Sequence, residues 1–428
     1  MKHKMNRIIK RVTGITLIAA VTLSLFACRG TTVQTQAENL TKDLNAGSVT
    51  NRELDDTFRL AAADFSFALF QQSSAEDMIA GKNILISPES VLSALAMTAN
   101  GANGQTLVEM EDVLCGGMEI RSFNEYMYTY HNRLTATKDV TFHIANSIWL
   151  KDEPELQVKE DFLQTDRNYY NADVFQADFD TATVADINQW VDANTNGMIP
   201  QLLTEIPEGV ELYLINALAF EGEWENSYEE KQVNEAGIFT DYLGNEETVT
   251  MLRSTETQYI AGEHVTGFVK NYKGGDYAFL ALLPEEGIRV EDYIASLNGE
   301  DFLALYDNRM YQDVLVEIPE FTYDYDTELK DSLSAMGIEE AFEPGADFSN
   351  MAETSLYISR VLHKTHIQVD RAGTKAAAVT AVEMSKTSDV EMDVTEPPKV
   401  YLNRPFVYAI VDTETGLPVF LGAVNTIE

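Results

Sequence analysis

Histidine and cysteine side chains are the first candidates for chemistry in this chain, which has six histidines and two cysteines. His363 and His366 are close enough in sequence to suggest a metal site, but side chains three residues apart on a strand point to opposite faces. His131 and His264 lie in polar segments, and neither the G-x-S-x-G nor the H-E-x-x-H motif of hydrolases occurs. We therefore predict no metal site and no hydrolase, and we interpret His363 as a buried, hydrogen-bonded histidine.

Cys28 follows an N-terminal segment with the features of an export signal. Five basic residues within the first eleven precede an apolar stretch at 15–26, which is too short to span a bilayer. The Leu25-Phe26-Ala27-Cys28 ending resembles a bacterial lipobox, which implies cleavage before Cys28 and lipidation of its thiol. Because several acyl chains anchor a protein stably, we predict an exported lipoprotein on the cell surface or membrane, with plain secretion as the alternative.

Two further polar groups occur in apolar segments. Cys115 ends an apolar helical pattern and lacks a disulfide partner if Cys28 is lipidated, so we interpret it as a small buried side chain. Asn216 interrupts the apolar run at 211–220. A buried amide needs hydrogen-bond partners, which makes Asn216 either a structural node or a site residue.

The segment 370–398 joins two clear strand patterns and is about 30 residues long, whereas connections between elements usually have about 4–6. Its small and β-branched residues favour a strand, whose two faces would differ in charge. The uncharged face would hold Thr374, Ala376, Ala378, Thr380, Val382 and Met384. The other face would hold Lys375, Ala377, Val379, Ala381, Glu383 and Ser385.

This division suits a strand that slides into the middle of a sheet. The uncharged face could meet the core, while Lys375 and Glu383 would stay in water. The alternative is a solvated linker of low complexity.

The elements around this segment alternate irregularly. Apolar residues recur at helical spacing from 56 to 71, and a second helix, apolar on most sides, begins after Ser87 and ends at Asn100. Strand patterns lie at 141–150, 211–220, 277–284, 314–319 and 357–369, and two apolar strands around a short turn close the chain. Because there is no regular strand–helix–strand rhythm, an α+β fold is favoured over a doubly wound one.

Composition limits the partners of the chain. Its 428 residues, 45% of them hydrophobic, are enough for one large core. The formal charge is -39, and loss of the five basic residues at 1–27 would make it -44. This charge argues against nucleic acid, heparin-like polyanions and anionic lipid head groups as partners. We predict a signal peptide at 1–27, a flexible tether at 28–50 and a single domain at 51–428.

Seven motifs occur in a fixed order along the chain. They are N-I-L-I-S-P-E-S-V-L-S-A-L-A-M, G-A-N-G-Q-T, I-A-N-S-I-W-L, N-Q-W-V, I-N-A-L-A-F-E-G-E-W, G-T-K-A-A-A-V-T and R-P-F-V-Y-A-I-V-D-T-E-T-G-L-P-V-F-L-G. With these motifs the chain resembles the serpin family over nearly all of 52–425. The resemblance implies one monomeric domain of three β-sheets and about nine helices, no cofactor, and an exposed reactive loop at about 371–400.

The resemblance also implies roles for single residues. A hinge of the reactive loop is expected at Gly373, Thr374, Lys375, Ala376, Ala377 and Ala378. The hydrogen-bonded point where the central sheet opens is expected at Ser87, Ser90, Asn216 and His363. Trp224 is expected near the top of that sheet.

Inhibition of serine proteases is the function that the resemblance implies. The protease attacks the loop, forms an acyl-enzyme and is trapped when the hinge inserts into the central sheet. Counting 17 residues from Arg371 places the cleaved bond at Thr387-Ser388, where a small residue suits elastase-like proteases. Cleavage at Lys386-Thr387 is one alternative and would suit trypsin-like or cysteine proteases, and under another register the bond could follow Met384 or Val390. A non-inhibitory serpin that acts as a binding or carrier protein is the other alternative.

Two positions near the hinge depart from the family pattern, which commonly has glutamate at both. This chain has Arg371 and Lys375 there. Lys375 would lie on the outward face of the strand, so it is compatible with insertion. The sequence alone leaves the effect of Arg371 open.

Overall fold

The computed structural model describes residues 35–374 and 396–427. The described residues belong to one compact unit, and no helix among them is long and apolar enough to cross a membrane. Several predicted site residues lie outside the described ranges: Cys28, Lys375, Ala376, Ala377, Ala378, Lys386, Thr387 and Ser388.

Nine α-helices occur among the described residues, in agreement with the expected number. They are α1 (Asp56–Ile79), α2 (Pro88–Ala99), α3 (Gly104–Cys115), α4 (Ile120–Thr135), α5 (Glu160–Tyr170), α6 (Thr181–Asn194), α7 (Val290–Ser296), α8 (Gly299–Asp307) and α9 (Lys330–Met336). Cys115, at the end of α3, is fully buried, and burial raises the pKa of its thiol. It is the small buried side chain that the sequence predicts.

The described residues also form strands of two to seventeen residues. They are β1 (Glu38–Asn39), β2 (Ile84–Ile86), β3 (Val140–Lys151), β4 (Asp173–Ala177), β5 (Leu212–Glu223), β6 (Val233–Thr240), β7 (Glu246–Gly262), β8 (Val265–Asn271), β9 (Tyr277–Pro284), β10 (Met310–Pro319), β11 (Phe321–Glu328), β12 (Arg360–Val369), β13 (Gly373–Thr374), β14 (Lys399–Tyr401), β15 (Phe406–Asp412) and β16 (Pro418–Val424). The five strand patterns found in the sequence correspond to β3, β5, β9, β10 and β12, with small shifts at their ends.

Seven strands form the first sheet in the order β1-β4-β3-β5-β13-β12-β11. Because β13 has only two residues, it separates β5 from β12 at one end of the sheet only. Elsewhere β5 and β12 pair directly and in parallel, residues 213–218 against residues 360–365. This direct pairing is called the seam below.

Both faces of the sheet are covered near the seam. On one face, Tyr213 and Leu362 pack in a cluster with Trp190 of α6. On the other face, Leu214 and Leu218 belong to the main core. A strand that is apolar on both faces is typical of a buried central strand, so any polar side chain there must find its partners within the protein.

Helix α2 lies against this sheet and contacts β3 and β5. Ser87 caps its N-terminus by accepting a hydrogen bond from the amide of Ser90 at 3.4 Å, and Pro88 occupies the first turn. All twelve residues of α2 are buried. The prediction of a buried helix between Ser87 and Asn100 is therefore confirmed, and Ser87 and Ser90 are brought to the seam.

The second sheet has the strand order β14-β10-β7-β8-β9-β15-β16-β2, with β6 paired to β7 beside this path. Strand β7 pairs with β6 in its first part, with β10 in its middle and with β8 at its end. Because this one long strand continues through both regions, the second and third sheets implied by the resemblance are hydrogen-bonded to each other. Strands β15 and β16 form the hairpin predicted at the end of the chain.

Residues 38–41, within the segment 28–50 that we predict to be a flexible tether, pair with the first sheet. Strand β1 pairs antiparallel with the edge strand β4, and the amide of Leu40 donates to the carbonyl of Val174 at 2.8 Å. Thr41 is fully buried and donates to the carbonyl of Ala172 at 3.0 Å. An edge strand binds an extended segment through backbone groups, so the segment needs no apolar period that a sequence pattern could reveal.

Candidate functional site

A hydrogen-bonded network crosses the seam. Asn146 of β3, Asn216 of β5 and His363 of β12 lie side by side because their strands are in register at these positions. Asn216 Nδ2 donates to Asn146 Oδ1 at 2.8 Å and to the hydroxyl of Ser90 at 2.6 Å. The other side-chain atom, Asn216 Oδ1, lies 2.5 Å from His363 Nδ1. The network therefore joins three strands to helix α2.

The backbone of Ser87 determines the protonation of His363. The Ser87 amide donates to Nε2 at 3.0 Å, so Nδ1 carries the proton that is donated to Asn216. Burial lowers the pKa of His363 to about 3, because a charged imidazolium would lose its hydration in this site. His363 is therefore neutral at physiological pH.

At one end of the seam, the chain after β12 folds back into the sheet. Asp370 makes the turn, since its Oδ1 accepts hydrogen bonds from the amides of Ala372 and Gly373 at 2.7 and 3.2 Å. Gly373 and Thr374 then pair antiparallel with the end of β5, and Thr374 also pairs with the end of β12. This turn and strand, residues 370–374, are called the hinge hairpin below.

The hinge hairpin lies where the resemblance implies part of an exposed loop. The resemblance implies a loop from about residue 371, but Gly373 and Thr374 lie inside the sheet. A Cβ at Gly373 would lie 2.1 Å from the carbonyl oxygen of Gly222, so only glycine fits there. Thr374 is 1% exposed, and its hydroxyl lies 2.6 Å from that of Tyr272. The diverging ends of β5 and β12 need backbone partners, which the hairpin supplies.

Trp224 and Tyr228 hold the turn of the hinge hairpin. The indole Nε1 of Trp224 donates to the carbonyl of Asp370, and its amide donates to the carbonyl of Ala372, both at 2.9 Å. The amide of Tyr228 donates to the carbonyl of Arg371 at 3.0 Å. Three consecutive carbonyls of the turn are thus bound, and Trp224 lies at the end of the seam where the hairpin enters the sheet.

Arg371 lies at the exposed corner of the turn. Its amide donates to Glu320 Oε1 at 3.1 Å, and its Nε lies 3.7 Å from the same oxygen. The side chain is 45% exposed, and ion pairs of this kind contribute about 0–1 kcal/mol. Because the charge lies outside the sheet, Arg371 is compatible with the seating of the hairpin.

The geometry suits an exchange of strands. The seam is a parallel pairing, whereas β13 is antiparallel to both of its neighbours. Parallel pairing is slightly less stable per residue than antiparallel pairing. Extension of β13 along the seam would replace one parallel ladder by two antiparallel ladders, and it would separate His363 from Asn216.

Comparison with known proteins identifies the family. Residues 60–427 match the family model described as Serpin (serine protease inhibitor). The chain belongs to the serpin family. The serpin fold implied by the sequence motifs is thereby confirmed.

Relatives of this serpin include proteins that are named for different functions. It is 30% identical to serine proteinase inhibitor 2.4 of Apodemus sylvaticus over 382 residues, which cover 86% of this chain and 89% of the relative. It is also 29% identical to corticosteroid-binding globulin of Oryctolagus cuniculus over 395 residues, which cover 89% of this chain and 99% of the relative. Relatives of nearly equal identity therefore include an inhibitor and a binding globulin.

Solved structures place this serpin near a thermophilic relative. Tengpin in its native state superposes with a TM-score of 0.86 and 43% identity, covering 92% of this chain and 100% of tengpin. Tengpin in its latent state gives a TM-score of 0.77 and 41% identity, covering 89% of this chain and 100% of tengpin. The described fold is thus more similar to the native than to the latent state of tengpin.

Sequence reasoning did not predict Asn146, Tyr228 or Tyr272 at this serpin's site. Asn146 is an amide within an apolar strand, like Asn216, and the same reasoning applied to the I-A-N-S-I-W-L motif would have found it. Tyr272 has no distinguishing sequence feature. The fold brings it to Thr374, which is 102 residues away along the chain.

Proposed function

We propose that this serpin is a suicide-substrate inhibitor of serine proteases. A protease would attack the loop between residues 375 and 395, form an acyl-enzyme and be displaced as the hinge hairpin extends along the seam. The protease supplies the nucleophile, and the serpin supplies the substrate and the sheet. The observation that carries the proposal is the seating of Gly373 and Thr374 between β5 and β12, at the head of the seam.

The free energy of strand exchange supports this proposal. About ten additional backbone hydrogen bonds, at roughly 1 kcal/mol net each, would favour the inserted form by on the order of 10 kcal/mol. That is comparable with the stability of a whole domain, so the uninserted form would be metastable. An inserted strand of about 14 residues would span roughly 45 Å, which is long enough to carry the attached protease from one end of the sheet to the other.

Elastase-like proteases are the target class that we propose. A small residue at Thr387, before Ser388, suits their shallow pockets. Acidic residues follow this bond at Asp389 and Glu391 and would attract cationic proteases. Cleavage after Lys386 is the alternative and would direct inhibition toward trypsin-like or cysteine proteases.

We also propose where the inhibitor works. Lipidation of Cys28 would anchor a monomeric protein at a bacterial cell surface, from which it could be released. The strong negative charge of the chain favours cationic proteases over polyanionic partners.

Incubation of the mature protein with pancreatic or neutrophil elastase, followed by a denaturing gel, tests the proposal. We expect a covalent band with the summed mass of both proteins and a released C-terminal peptide that begins at Ser388. A peptide that begins at Thr387 would reassign the bond to Lys386. Complete cleavage without a covalent band, by elastase and by trypsin, would refute inhibition.

The variant Thr374→Arg should convert the inhibitor into a substrate. The buried hydroxyl of Thr374 lies against Tyr272, so an arginine would place an unpaired charge at the head of the seam and block extension. We expect the covalent band to fall at least about tenfold while cleavage of the loop continues. Thr374→Ser keeps the hydroxyl and is the matched control. Equal complex formation by Thr374→Arg and the wild type would contradict the mechanism.

A binding protein is the second candidate, because a relative over most of the chain is corticosteroid-binding globulin. A carrier needs no loop insertion, so its ligand affinity would be unchanged by Thr374→Arg. Titration with corticosteroid, followed by tryptophan fluorescence, tests this candidate. Saturable binding at about micromolar concentration or below, with no covalent band on the gel, would favour it.

A further inference from the structure

A buried ion pair lies behind the hinge hairpin. Lys270 of β8 has a side chain that is 2% exposed, and its Nζ donates to Oε1 of Glu256 in β7 at 2.8 Å. A second, longer hydrogen bond joins Nζ to the carbonyl of Asn226 at 3.4 Å. Removing two charges from water costs several kcal/mol for each ion unless the geometry of the pair is good. Strand exchange, as described above, makes no use of this pair.

The ammonium group of Lys270 contacts the two aromatic residues that hold the turn. Nζ lies 4.6 Å from the ring centroid of Tyr228 and 5.4 Å from that of Trp224. Both distances are within the range of cation–π attraction, which is strongest where the cation is desolvated. The same two residues bind the carbonyls at 370–372.

The carboxylate of Glu256 links the ion pair back to Tyr228. Ser254 Oγ donates to Glu256 Oε1 at 2.6 Å, and it lies 3.2 Å from the hydroxyl of Tyr228. Tyr228 is therefore held at its hydroxyl by Ser254 and at its ring by Lys270. Burial raises the pKa of Tyr228, so its hydroxyl keeps its proton.

Stability alone does not account for such a pair. Replacement of a buried ion pair by apolar side chains of similar volume is often neutral or stabilising. A point charge beneath two rings instead restricts where those rings can lie. Trp224 also stacks on Tyr272 with ring centroids 4.6 Å apart, and Tyr272 meets Thr374, so the position of the Trp224 ring affects both the turn and the strand of the hairpin.

We infer that Lys270 is a positioning residue: paired with Glu256, it holds Trp224 and Tyr228 over the turn at 370–372 and keeps the hinge hairpin seated in the sheet. Its effect on protease trapping rests on the proposed function. Its effect on the hairpin does not, and can be measured without any protease.

Hydrogen exchange of the double variant Lys270→Met/Glu256→Gln tests the inference. This variant removes both charges, and the introduced glutamine keeps an acceptor for Ser254. The amides of Trp224 and Tyr228, which donate to the turn, should exchange about tenfold faster than in the wild type. The amides of the seam and the thermal midpoint should stay near their wild-type values.

Two further variants separate positioning from a general structural effect. Lys270→Arg keeps the charge and the contact with both rings, so the amides of Trp224 and Tyr228 should exchange as slowly as in the wild type. Lys330→Met removes a lysine that lies 5.8 Å from the Phe342 ring centroid, away from the hinge hairpin, and it should leave that exchange unchanged. Unchanged exchange in the double variant, or faster exchange throughout the molecule with a lower thermal midpoint, would overturn the inference.

Protease trapping is the second measurement. With a released hinge hairpin, insertion should start later after acylation, so the number of serpin molecules consumed per protease trapped should rise about threefold in the double variant. If the wild type forms no covalent complex, the proposed function fails while the exchange experiment still decides the role of Lys270. If trapping is unchanged although exchange is faster, Lys270 positions the hairpin without affecting inhibition, and this part of the inference fails.

Discussion

At the scale of single residues, polar side chains inside apolar strands join β5 to β12, where we propose that the first sheet opens. Asn216 and His363 face each other across the seam, and each uses its polar atoms fully within the protein. Such a network specifies one register of β5 against β12, because a shift by one residue would leave buried polar atoms without partners. It also makes the seam dependent on pH.

We predict that the contribution of His363 to stability declines in acid. Its pKa is about 3 in the folded protein and 6.5 ordinarily, so the unfolded chain takes up the proton first as the pH falls. The contribution is complete above about pH 6.5 and falls by about 1.4 kcal/mol per pH unit as the pH approaches 3. Urea unfolding of the wild type and of His363→Gln should therefore give a difference in unfolding free energy that shrinks between pH 7 and pH 4. A difference that stays constant over this range would contradict the prediction.

At the scale of elements, backbone pairing determines where the two shortest strands of the first sheet lie. Strand β1 completes the edge at β4, and β13 fills the gap between the ends of β5 and β12. Strand β1 is too short to show an apolar alternation in the sequence, and β13 contains only Thr374 of the strand pattern predicted at 374–385. Their positions follow from unpaired backbone groups on longer strands.

Truncation tests the contribution of the N-terminal element. A chain that begins at Asn51 lacks β1 and the buried Thr41, so we expect it to lose on the order of 2 kcal/mol of stability and to exchange faster at β4. A chain that begins at Thr35 keeps both and is the control. Thermal unfolding and hydrogen exchange measure the two effects. Equal thermal midpoints for the two chains would show that the edge pairing adds no stability.

At the scale of the whole molecule, the order of pairing in the first sheet is what the proposed strand exchange would change. The parallel seam and the antiparallel hinge hairpin occupy the same sheet, and the described part of strand β13 has two residues. The sheet can therefore gain a strand only by losing the seam. Under the proposed mechanism, metastability would be a property of the sheet topology and of no single contact.

Cleavage of the loop should stabilise the whole molecule. Once the loop is cut within 375–395, its N-terminal part is free to insert, and the expected gain should raise the thermal midpoint by at least about 10 °C. Limited proteolysis followed by calorimetry measures this change. Cleaved Thr374→Arg should show a much smaller rise. An unchanged midpoint after cleavage of the wild type would argue against insertion.

The sequence by itself determined the family, the principal strands and the buried positions of Asn216 and His363. Strand periodicity, helix caps and the order of motifs depend on neighbouring residues, so they can be recognised in the sequence before the fold is known. The difference between an uncharged face and a charged face at 374–385 could be recognised for the same reason, and Thr374 is the one residue of that set whose burial the structure describes.

Only the tertiary structure determined which residues contact each other across long stretches of sequence. Ser87 binds His363 across 276 residues of chain, and Tyr272 meets Thr374 across 102. In the sequence, Lys270 has no feature that distinguishes it from the other basic residues of this acidic chain. The fold places its ammonium group beneath the rings of Trp224 and Tyr228. The seating of the hinge hairpin belongs here as well, because it depends on a gap between two strands that are distant in sequence. Pairing energies between distant segments leave no local pattern, and therefore only the folded chain shows that Gly373 and Thr374 lie inside the sheet.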